Sequence, residues 1–231
     1  MLHPVVGVSV GPGDPELITV KALKALENAD IIYFTGSEHK GIRKSYVLPI
    51  LEFHQISKEK CKGFFIPMDF KRDGAKKTYL ETVEAVQKDY LDGKKVCVIC
   101  EGDISLFASF SYMMEHFHQR EIPISLIPGV NAFSLNAAEQ QVPISLLKEK
   151  VAILPRVQDI SEIDAYMENF DTLILMKIKS GWNTFQKELE ARKYQCFYGE
   201  KLGTSEMFFT KNIKDLKNRE IPYFSLLMLK K

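Results

Sequence analysis

Three short glycine-containing turns are the segments of this 231-residue chain best suited to chemistry. The first is Gly-Pro-Gly-Asp-Pro at residues 11–15, the second is Gly102-Asp103, and the third is Pro128-Gly129. Each follows an apolar run typical of a strand and precedes a pattern that favours a helix. Such turns expose backbone N–H and C=O groups at the carboxyl ends of strands, where small ligands bind in open α/β sheets. One turn alone would indicate only a tight bend, but three in order favour a binding site.

The first turn is poorly suited to phosphate. It lacks the third glycine of a dinucleotide fingerprint, and it places Asp14 and Glu16 at the start of a helix, where an anion would otherwise bind. We therefore expect a ligand other than a phosphate group. A nucleotide- or phosphate-binding regulatory module is an alternative from another functional class, and this acidic turn disfavours it.

The overall charge excludes several partners. The chain has 31 Lys and Arg against 30 Asp and Glu, a formal net charge of +1, so no global field attracts nucleic acid or an anionic membrane. It has no basic-then-apolar leader pattern and no apolar run of membrane-spanning length. We therefore expect a soluble, cytoplasmic protein without nucleic-acid or membrane partners, in which any affinity for an anionic substrate comes from a local cluster.

The cysteines and histidines do not indicate a metal site. Cys97 and Cys100 lie within one apolar run, and residues three apart on a strand face opposite sides, so they can share neither a metal nor a disulfide. We predict that they are buried, inert thiols. His116 and His118 point apart on a predicted helix, and we expect no metal.

Alternating strand and helix patterns predict an α/β architecture with two α/β domains. The first sheet is expected to be largely parallel and the second mixed, because the last strands follow one another closely. We place the boundary near residues 128–145, giving domains 1–130 and 131–231. Parallel strands joined by helices would bring the three turns to one rim of a sheet. The predicted strands are 5–10, 31–34, 64–68, 95–100, 124–127, 151–155, 171–178, 195–200, 206–210 and 223–229, and the predicted helices are 15–30, 45–53, 79–91, 109–119, 130–138, 160–169 and 182–193.

Taken together, the turns resemble the signatures of the tetrapyrrole methylase family of S-adenosylmethionine-dependent enzymes. Residues 9–15 match G-x-G-P-G-D-P with Ser9 in place of the first Gly, and the second turn matches G-D-P with Ile104 in place of Pro. The third matches P-G-[IV]. The segments 103–110, 175–177 and 222–227 are similar to the branch that methylates C20 of precorrin-2.

This resemblance implies an active site in a cleft between the two domains, a homodimer, and S-adenosyl-L-methionine as the cofactor, released as S-adenosyl-L-homocysteine. The implied reaction is methylation of C20 of precorrin-2 or cobalt-precorrin-2 in cobalamin (corrin) biosynthesis, and whether the ring already carries cobalt stays open. A same-fold methyltransferase acting on another tetrapyrrole carbon or on a protein side chain is the alternative. A catalytically inactive relative is disfavoured by the intact turns.

The family's cofactor positions map onto this chain through the matched motifs. Asn131 stands where relatives have Thr or Ser, which removes a hydroxyl contact there. The cofactor-binding positions that the resemblance implies are Pro12, Gly102, Asp103, Ile104, Leu106, Asn131, Ala132, Met176 and Gly203.

No catalytic side chain is assigned, because the meso carbon of a precorrin is already nucleophilic. Some relatives have an Asp after the second strand, where this chain has Thr35.

The substrate's carboxylates require Arg or Lys. The candidate substrate-binding residues are Lys71, Arg72, Lys76 and Lys77 in a polar loop, Lys177 at the end of an apolar strand, and Phe110, with Phe107, lining the macrocycle. For the loop cations a solvated charge run is an equally weighted interpretation, and for the aromatic residues a place in the core is favoured.

Overall fold

Strand β5 (Val96–Cys100) forms the centre of the first sheet and is buried on both faces. Its side chains alternate between two apolar clusters, with Val98 and Cys100 in one and Cys97 and Ile99 in the other. A strand covered on both faces is typical of a parallel sheet between layers of helices. The prediction of two buried, unbridged thiols is confirmed.

The computed structural model describes residues 2–67 and 73–231. The chain forms two compact units, Met1–Asn131 and Ala132–Lys231, each with its own sheet. The units are described separately below.

The first unit contains a six-stranded sheet. Its strands are β1 (Val5–Ser9), β2 (Ile31–His39), β3 (Ile42–Lys44), β4 (Cys61–Pro67), β5 and β6 (Ile124–Ile127). Their order is β3-β2-β5-β1-β6, with β4 also paired to β2. Every one of these pairings is parallel except that of β2 with β3, so the prediction of a largely parallel sheet is confirmed. Its helices are α1 (Val20–Glu27), α2 (Leu48–Phe53), α3 (Asp73–Leu91) and α4 (Ser109–Gln119).

The first helix begins later than predicted. Asp14 caps a single 3-10 turn over Pro15–Leu17, as its side chain accepts a hydrogen bond from the Glu16 amide. The backbone then becomes extended, and Thr19 caps α1 instead. Val20, the first residue of α1, is 70% exposed.

Strand β2 and helix α3 are both longer than the sequence predicted. Strand β2 continues five residues beyond Phe34 and pairs with β3 through a tight turn at Lys40 and Gly41, which both have positive φ. Helix α3 starts at Asp73, so Lys76 and Lys77 lie in its first turns rather than in a loop.

The second unit contains a five-stranded sheet and three α-helices. The strands are β7 (Val151–Pro155), β8 (Thr172–Met176), β9 (Gln195–Glu200), β10 (Phe208–Thr210) and β11 (Ser225–Lys230), and the helices are α5 (Ala132–Glu139), α6 (Ile160–Asn169) and α7 (Trp182–Leu189). The strand order is β10-β9-β11-β8-β7. Within this unit only β7 and β8 pair in parallel, so the predicted mixed sheet is confirmed. Helices α6 and α7 share one apolar cluster with the sheet, and α5 packs in a separate cluster.

Strands β10 and β11 begin two residues later than predicted, and α7 ends four residues earlier. No helix in the described part of the chain has the length and apolarity needed to cross a membrane.

A buried carboxylate joins four segments of the first unit. Asp89 of α3 accepts hydrogen bonds from the Tyr33 hydroxyl of β2 at 2.7 Å and from the ammonium groups of Lys62 of β4 and Lys94 at 2.6 and 2.7 Å. Burial alone would raise the pKa of the Asp89 carboxyl, but these hydrogen bonds outweigh it and lower that pKa to about 2. Burial of Tyr33, followed by its hydrogen bond to Asp89, raises the pKa of the Tyr33 hydroxyl.

We predict that Asp89 makes the fold sensitive to acid. Because its pKa is depressed in the folded state, its contribution is present above the unfolded pKa and is lost as the pH falls from about 5 towards 2. Replacing Asp89 with Asn should lower the unfolding free energy at neutral pH by about 2 kcal/mol and flatten its decline in acid. Urea denaturation at several pH values measures both effects. Asp92→Asn, at an exposed position of the same segment, is the matched control, and equal pH dependence in Asp89→Asn and the wild type would contradict the prediction.

Candidate functional site

The three glycine-containing turns meet at one edge of the first sheet. Strand β1 lies between β5 and β6 and is parallel to both. Ser9 is level with Cys100, and Val8 is level with Ile127, so the three strands end side by side. The expectation that these turns share one rim of a parallel sheet is confirmed.

Backbone hydrogen bonds join the first turn to the second. The Gly11 amide donates to the Gly102 carbonyl at 3.3 Å, and the Gly102 amide donates to the Gly11 carbonyl at 2.7 Å. This antiparallel bridge turns both chains at the point where their parallel strands finish. Gly102 has a φ of +68°, a conformation that side chains rarely adopt.

The Asp103 carboxylate joins the second turn to the third. One oxygen accepts a hydrogen bond from the Gly129 amide at 2.7 Å, and the other accepts from the Ser105 amide at 2.9 Å and from the Ser105 hydroxyl. Asp103 is only 6% exposed. Burial would raise the pKa of its carboxyl, but the hydrogen bonds from Ser105 and Gly129 lower it below the ordinary value. Asp103 is therefore ionised, and its hydrogen bonds link the second turn to the third.

Ser9, at the position where the resembled signature has glycine, links the first turn to the second. Its fully buried side-chain oxygen accepts a hydrogen bond from the Ile104 amide at 2.8 Å. Gly129 packs directly against it, and a Cβ on Gly129 would lie 2.5 Å from the Ser9 Cβ and 2.8 Å from the Gly102 carbonyl oxygen. The sequence identified Ser9 only as a departure from a motif, and a polar residue in an apolar strand was the available signal for its role.

These hydrogen bonds determine which of the predicted cofactor positions still have groups available to a ligand. Both carboxylate oxygens of Asp103 are engaged by the protein, and the Ile104 side chain is buried. We infer that these two residues shape the turn, whereas Leu106 and Pro12 are partly exposed. None of the described residues hydrogen-bonds to the backbone of Pro12 or of Gly13.

Asn131 and Ala132 follow the third turn, and both are partly buried. Helix α5 begins at Ala132, so the amides of its first turn have no acceptor within the helix. The start of α5 therefore provides uncharged hydrogen-bond donors.

In the second unit, the predicted positions lie at strand ends. Met176 is the last residue of β8 and its carbonyl accepts a hydrogen bond from the Arg156 amide at 3.1 Å. Gly203 follows β9 with a φ of +75°, and its amide contacts the Met207 sulfur at 3.4 Å. Because β8 and β9 are both antiparallel to β11, they run in the same direction and end at the same edge of the sheet.

A buried charge network fixes the end of β9. The Glu200 carboxylate accepts a hydrogen bond from the Tyr198 hydroxyl and two from the Arg219 guanidinium, at 3.1 and 2.5 Å. The guanidinium also lies 3.9 Å above the Phe208 ring. Burial, followed by the hydrogen bond to Glu200, raises the pKa of Tyr198. Sequence analysis missed this network, for which a Glu at the end of an apolar strand is the visible signal.

The structure places Phe110 in the core and Thr35 within a strand. Phe110 is fully buried in the core against Gly7, which confirms the favoured interpretation of a core aromatic residue and contradicts the alternative that its ring lines a macrocycle. Thr35 lies inside β2 rather than after a strand, because β2 is longer than predicted.

The four basic residues predicted to lie in a polar loop fall into two pairs. Lys76 and Lys77 are 77% exposed and form ion pairs along α3 with Asp73 and Glu81, as the solvated-charge interpretation expects. Lys71 and Arg72 lie outside the described residues. Across residues 2–67 and 73–231, no three His, Cys, Asp or Glu side chains gather as a metal site would require.

We predict that Asp103→Ala lowers the unfolding free energy by about 2–3 kcal/mol, because it removes the acceptor of the Gly129 and Ser105 donors. Asp103→Asn should fall between this variant and the wild type, since an amide retains only one acceptor oxygen. Chemical denaturation followed by circular dichroism measures both. Ser105→Ala removes a single hydroxyl donor and should have a smaller effect. If Asp103→Ala were no less stable than Ser105→Ala, the tie between the turns would not exist.

Comparison with known proteins places this geometry in a family. The "Probable cobalt-precorrin-2 C(20)-methyltransferase" of Methanocaldococcus jannaschii is 32% identical over 180 residues, covering 78% of this chain and 74% of that protein. A Sinorhizobium "Precorrin-2 C(20)-methyltransferase" is 29% identical over 232 residues, covering 97% and 94%.

Solved structures agree on the fold. A cobalt precorrin-4 methyltransferase superposes with a TM-score of 0.71 at 17% identity, covering 98% of this chain and 94% of that one. A uroporphyrin-III C-methyltransferase from Thermus thermophilus, complexed with S-adenosyl homocysteine, gives a TM-score of 0.64 at 17% identity and covers 99% and 98%. The family model described as tetrapyrrole (corrin/porphyrin) methylases matches residues 4–217, and the chain belongs to this family.

Proposed function

We propose that this protein is an S-adenosyl-L-methionine-dependent methyltransferase that methylates C20 of precorrin-2 or cobalt-precorrin-2 in cobalamin biosynthesis. Relatives with that name align with most of the chain at about 30% identity. The observation that carries the proposal is the junction of three turns held by Asp103 and Ser9. These are the turns that match the family's signatures.

The chemistry of the junction fits this cofactor better than a phosphate. The Asp14 carboxylate accepts a hydrogen bond from the Glu16 amide, so it takes the position at which a phosphate would bind. S-adenosyl-L-methionine can be held by backbone carbonyls and amides, and the surroundings of Pro12 and Ala132 supply such groups. When bound, it supplies a methyl group activated by an adjacent sulfonium.

Residues of both units are proposed to hold the cofactor. On the first unit they are Pro12, Gly102, Asp103, Ile104, Leu106 and Asn131, with Asp103 and Ile104 acting through the shape of the turn. On the second unit they are Ala132, Met176 and Gly203.

The protein's main task is then orientation. Methyl transfer needs donor and acceptor in line, and fixed geometry of this kind can lower a barrier by roughly 7–11 kcal/mol. A protein nucleophile is not required, and the buried cysteines are unsuited to the role, since burial raises the pKa of Cys97 to about 12 and raises that of Cys100 as well. We assign no general base.

The proposal includes a homodimer and a cytoplasmic location. Methylation of another tetrapyrrole carbon, or of a protein side chain, is the alternative within the same fold.

We predict that the purified protein transfers the labelled methyl group of S-adenosyl-L-methionine to C20 of precorrin-2, with or without cobalt. Product mass and NMR assignment of the new methyl carbon measure this, with heat-denatured protein as the control. A methyl group at another ring carbon, or on protein alone, would favour the alternative. Tight binding of ATP or NAD without any calorimetric response to S-adenosyl-L-homocysteine would instead indicate a regulatory module.

A further inference from the structure

The hairpin of β2 and β3 extends beyond the same edge of the first sheet at which the three turns lie. Strand β4 pairs with β2 along Ile32–Glu38 and so occupies one side of it. Strands β5 and β3 also pair with β2, β5 along Ile31–Phe34 and β3 along Ser37–His39. They therefore share the other side of β2 end to end. Strand β3 lies directly beyond the carboxyl end of β5, where the second turn begins.

Lys44 is the residue of β3 closest to the end of β5. It is opposite Ser37, which is three residues beyond Phe34, and Phe34 is level with Ile99 of β5. At the usual rise of a strand, the Lys44 backbone is about 10 Å beyond Ile99 along the sheet. The second turn leaves β5 within that distance, so the hairpin adjoins it.

Side-chain alternation assigns part of the hairpin to the face of the sheet on which the second turn packs. Tyr33, Cys100 and Ile104 of the second turn belong to one apolar cluster, which defines this face. Successive residues of a strand alternate between faces, and directly opposite residues of paired strands share a face. The residues that follow Tyr33 at every second position of β2, and those opposite them on β3, therefore lie on this face. They are Thr35, Ser37, His39, Ile42 and Lys44, which we call the hairpin face.

Contacts outside the hairpin face restrain the hairpin. The Arg43 guanidinium donates a hydrogen bond to the Glu38 carboxylate at 2.7 Å and lies 4.8 Å from the centre of the Phe65 ring. The Ser45 hydroxyl donates to the Thr35 carbonyl at 2.7 Å. A two-stranded hairpin alone is only marginally stable in water, so these contacts help to fix its orientation. The side chains of the hairpin face are not used for this purpose.

The hairpin face combines apolar surface with an available cation. Ile42 is 62% exposed, and Lys44 forms no ion pair with any residue in the described part of the chain. Residues 37–45 contain three basic residues and one acidic residue, Glu38, which is engaged by Arg43 on the opposite face. A tetrapyrrole presents an apolar ring with carboxylates on its rim, and the hairpin face complements both features.

Methyl transfer requires the substrate to adjoin the turns that are proposed to hold the cofactor, because the reacting atoms must approach to about 3–3.5 Å. We propose that the hairpin face is one wall of the substrate site. Ile42 packs against the tetrapyrrole ring, and the Lys44 ammonium donates charge-assisted hydrogen bonds to one of its acetate or propionate carboxylates. This inference rests on the proposed function for the identity of the substrate.

The test changes two residues of the hairpin face. Lys44→Gln removes the charge, and Ile42→Ser removes apolar surface. Both positions are exposed, so the melting temperature should change little. Lys95→Gln is the matched control, because Lys95 is exposed and immediately precedes β5 at the opposite edge of the sheet. Lys40→Asn removes an equal charge at the tip of the hairpin, where φ is +49°, and reports on general electrostatic attraction.

The readouts are the dissociation constants of two ligands. Sirohydrochlorin, a stable polycarboxylate with the precorrin-2 ring skeleton, reports on the hairpin face, and S-adenosyl-L-homocysteine reports on the cofactor site. Lys44→Gln should weaken sirohydrochlorin binding about tenfold and reduce its dependence on salt, and Ile42→Ser should weaken it about fivefold. Lys44→Arg should bind sirohydrochlorin like the wild type, and the two controls should lose less than about twofold. The affinity for S-adenosyl-L-homocysteine should be unchanged in every variant.

The outcomes separate the two proposals. Unchanged sirohydrochlorin affinity in Lys44→Gln or in Ile42→Ser, an equal loss in either control, or no binding by wild-type protein would each overturn the role of the hairpin face. A wild-type protein that binds sirohydrochlorin through Lys44 but does not bind S-adenosyl-L-homocysteine would overturn the methyltransferase proposal and leave the hairpin face as a polycarboxylate site.

Discussion

The candidate site of the first unit depends on one ionised carboxylate. Parallel strands end with their last amides and carbonyls unpaired, and loops that continue from them have no intrinsic reason to converge. Asp103 provides that reason by accepting hydrogen bonds from its own turn and from Gly129 of the next one. Charge-assisted hydrogen bonds in a buried setting are among the stronger polar contacts available to a protein, which suits a place where geometry must be kept.

The second unit solves the same problem differently. Arg156, Lys177 and Lys201 leave their strands through left-handed backbone, which redirects each chain sharply after the last sheet residue. Glu200 and Arg219 then fix the end of β9 from within the core.

The sequence predicted the parts of this molecule that depend on local pattern. The class of both sheets, the shared rim of three turns and the buried cysteines follow from alternation and turn chemistry. Features that depend on contacts between residues distant in the sequence were not predictable. The start of α1 depended on a competition between Asp14 and Thr19 as caps, and the extension of β2 depended on pairing with β3. The role of Ser9 could not be predicted, because the position of a residue along one strand does not show which amide, here that of Ile104, lies beside its side chain.

The close approach of Gly129 to Ser9 links two distant positions of the sequence. Any side chain at residue 129 would collide with the Ser9 Cβ and with the Gly102 carbonyl oxygen. A relative with glycine at position 9 loses only the first of these obstacles. Residue 129 should therefore stay glycine across such chains even when residue 9 varies, and a larger residue at 9 should be tolerated only if the third loop is displaced. Substitution histories at the two sites would then be asymmetric, with the later position the more constrained.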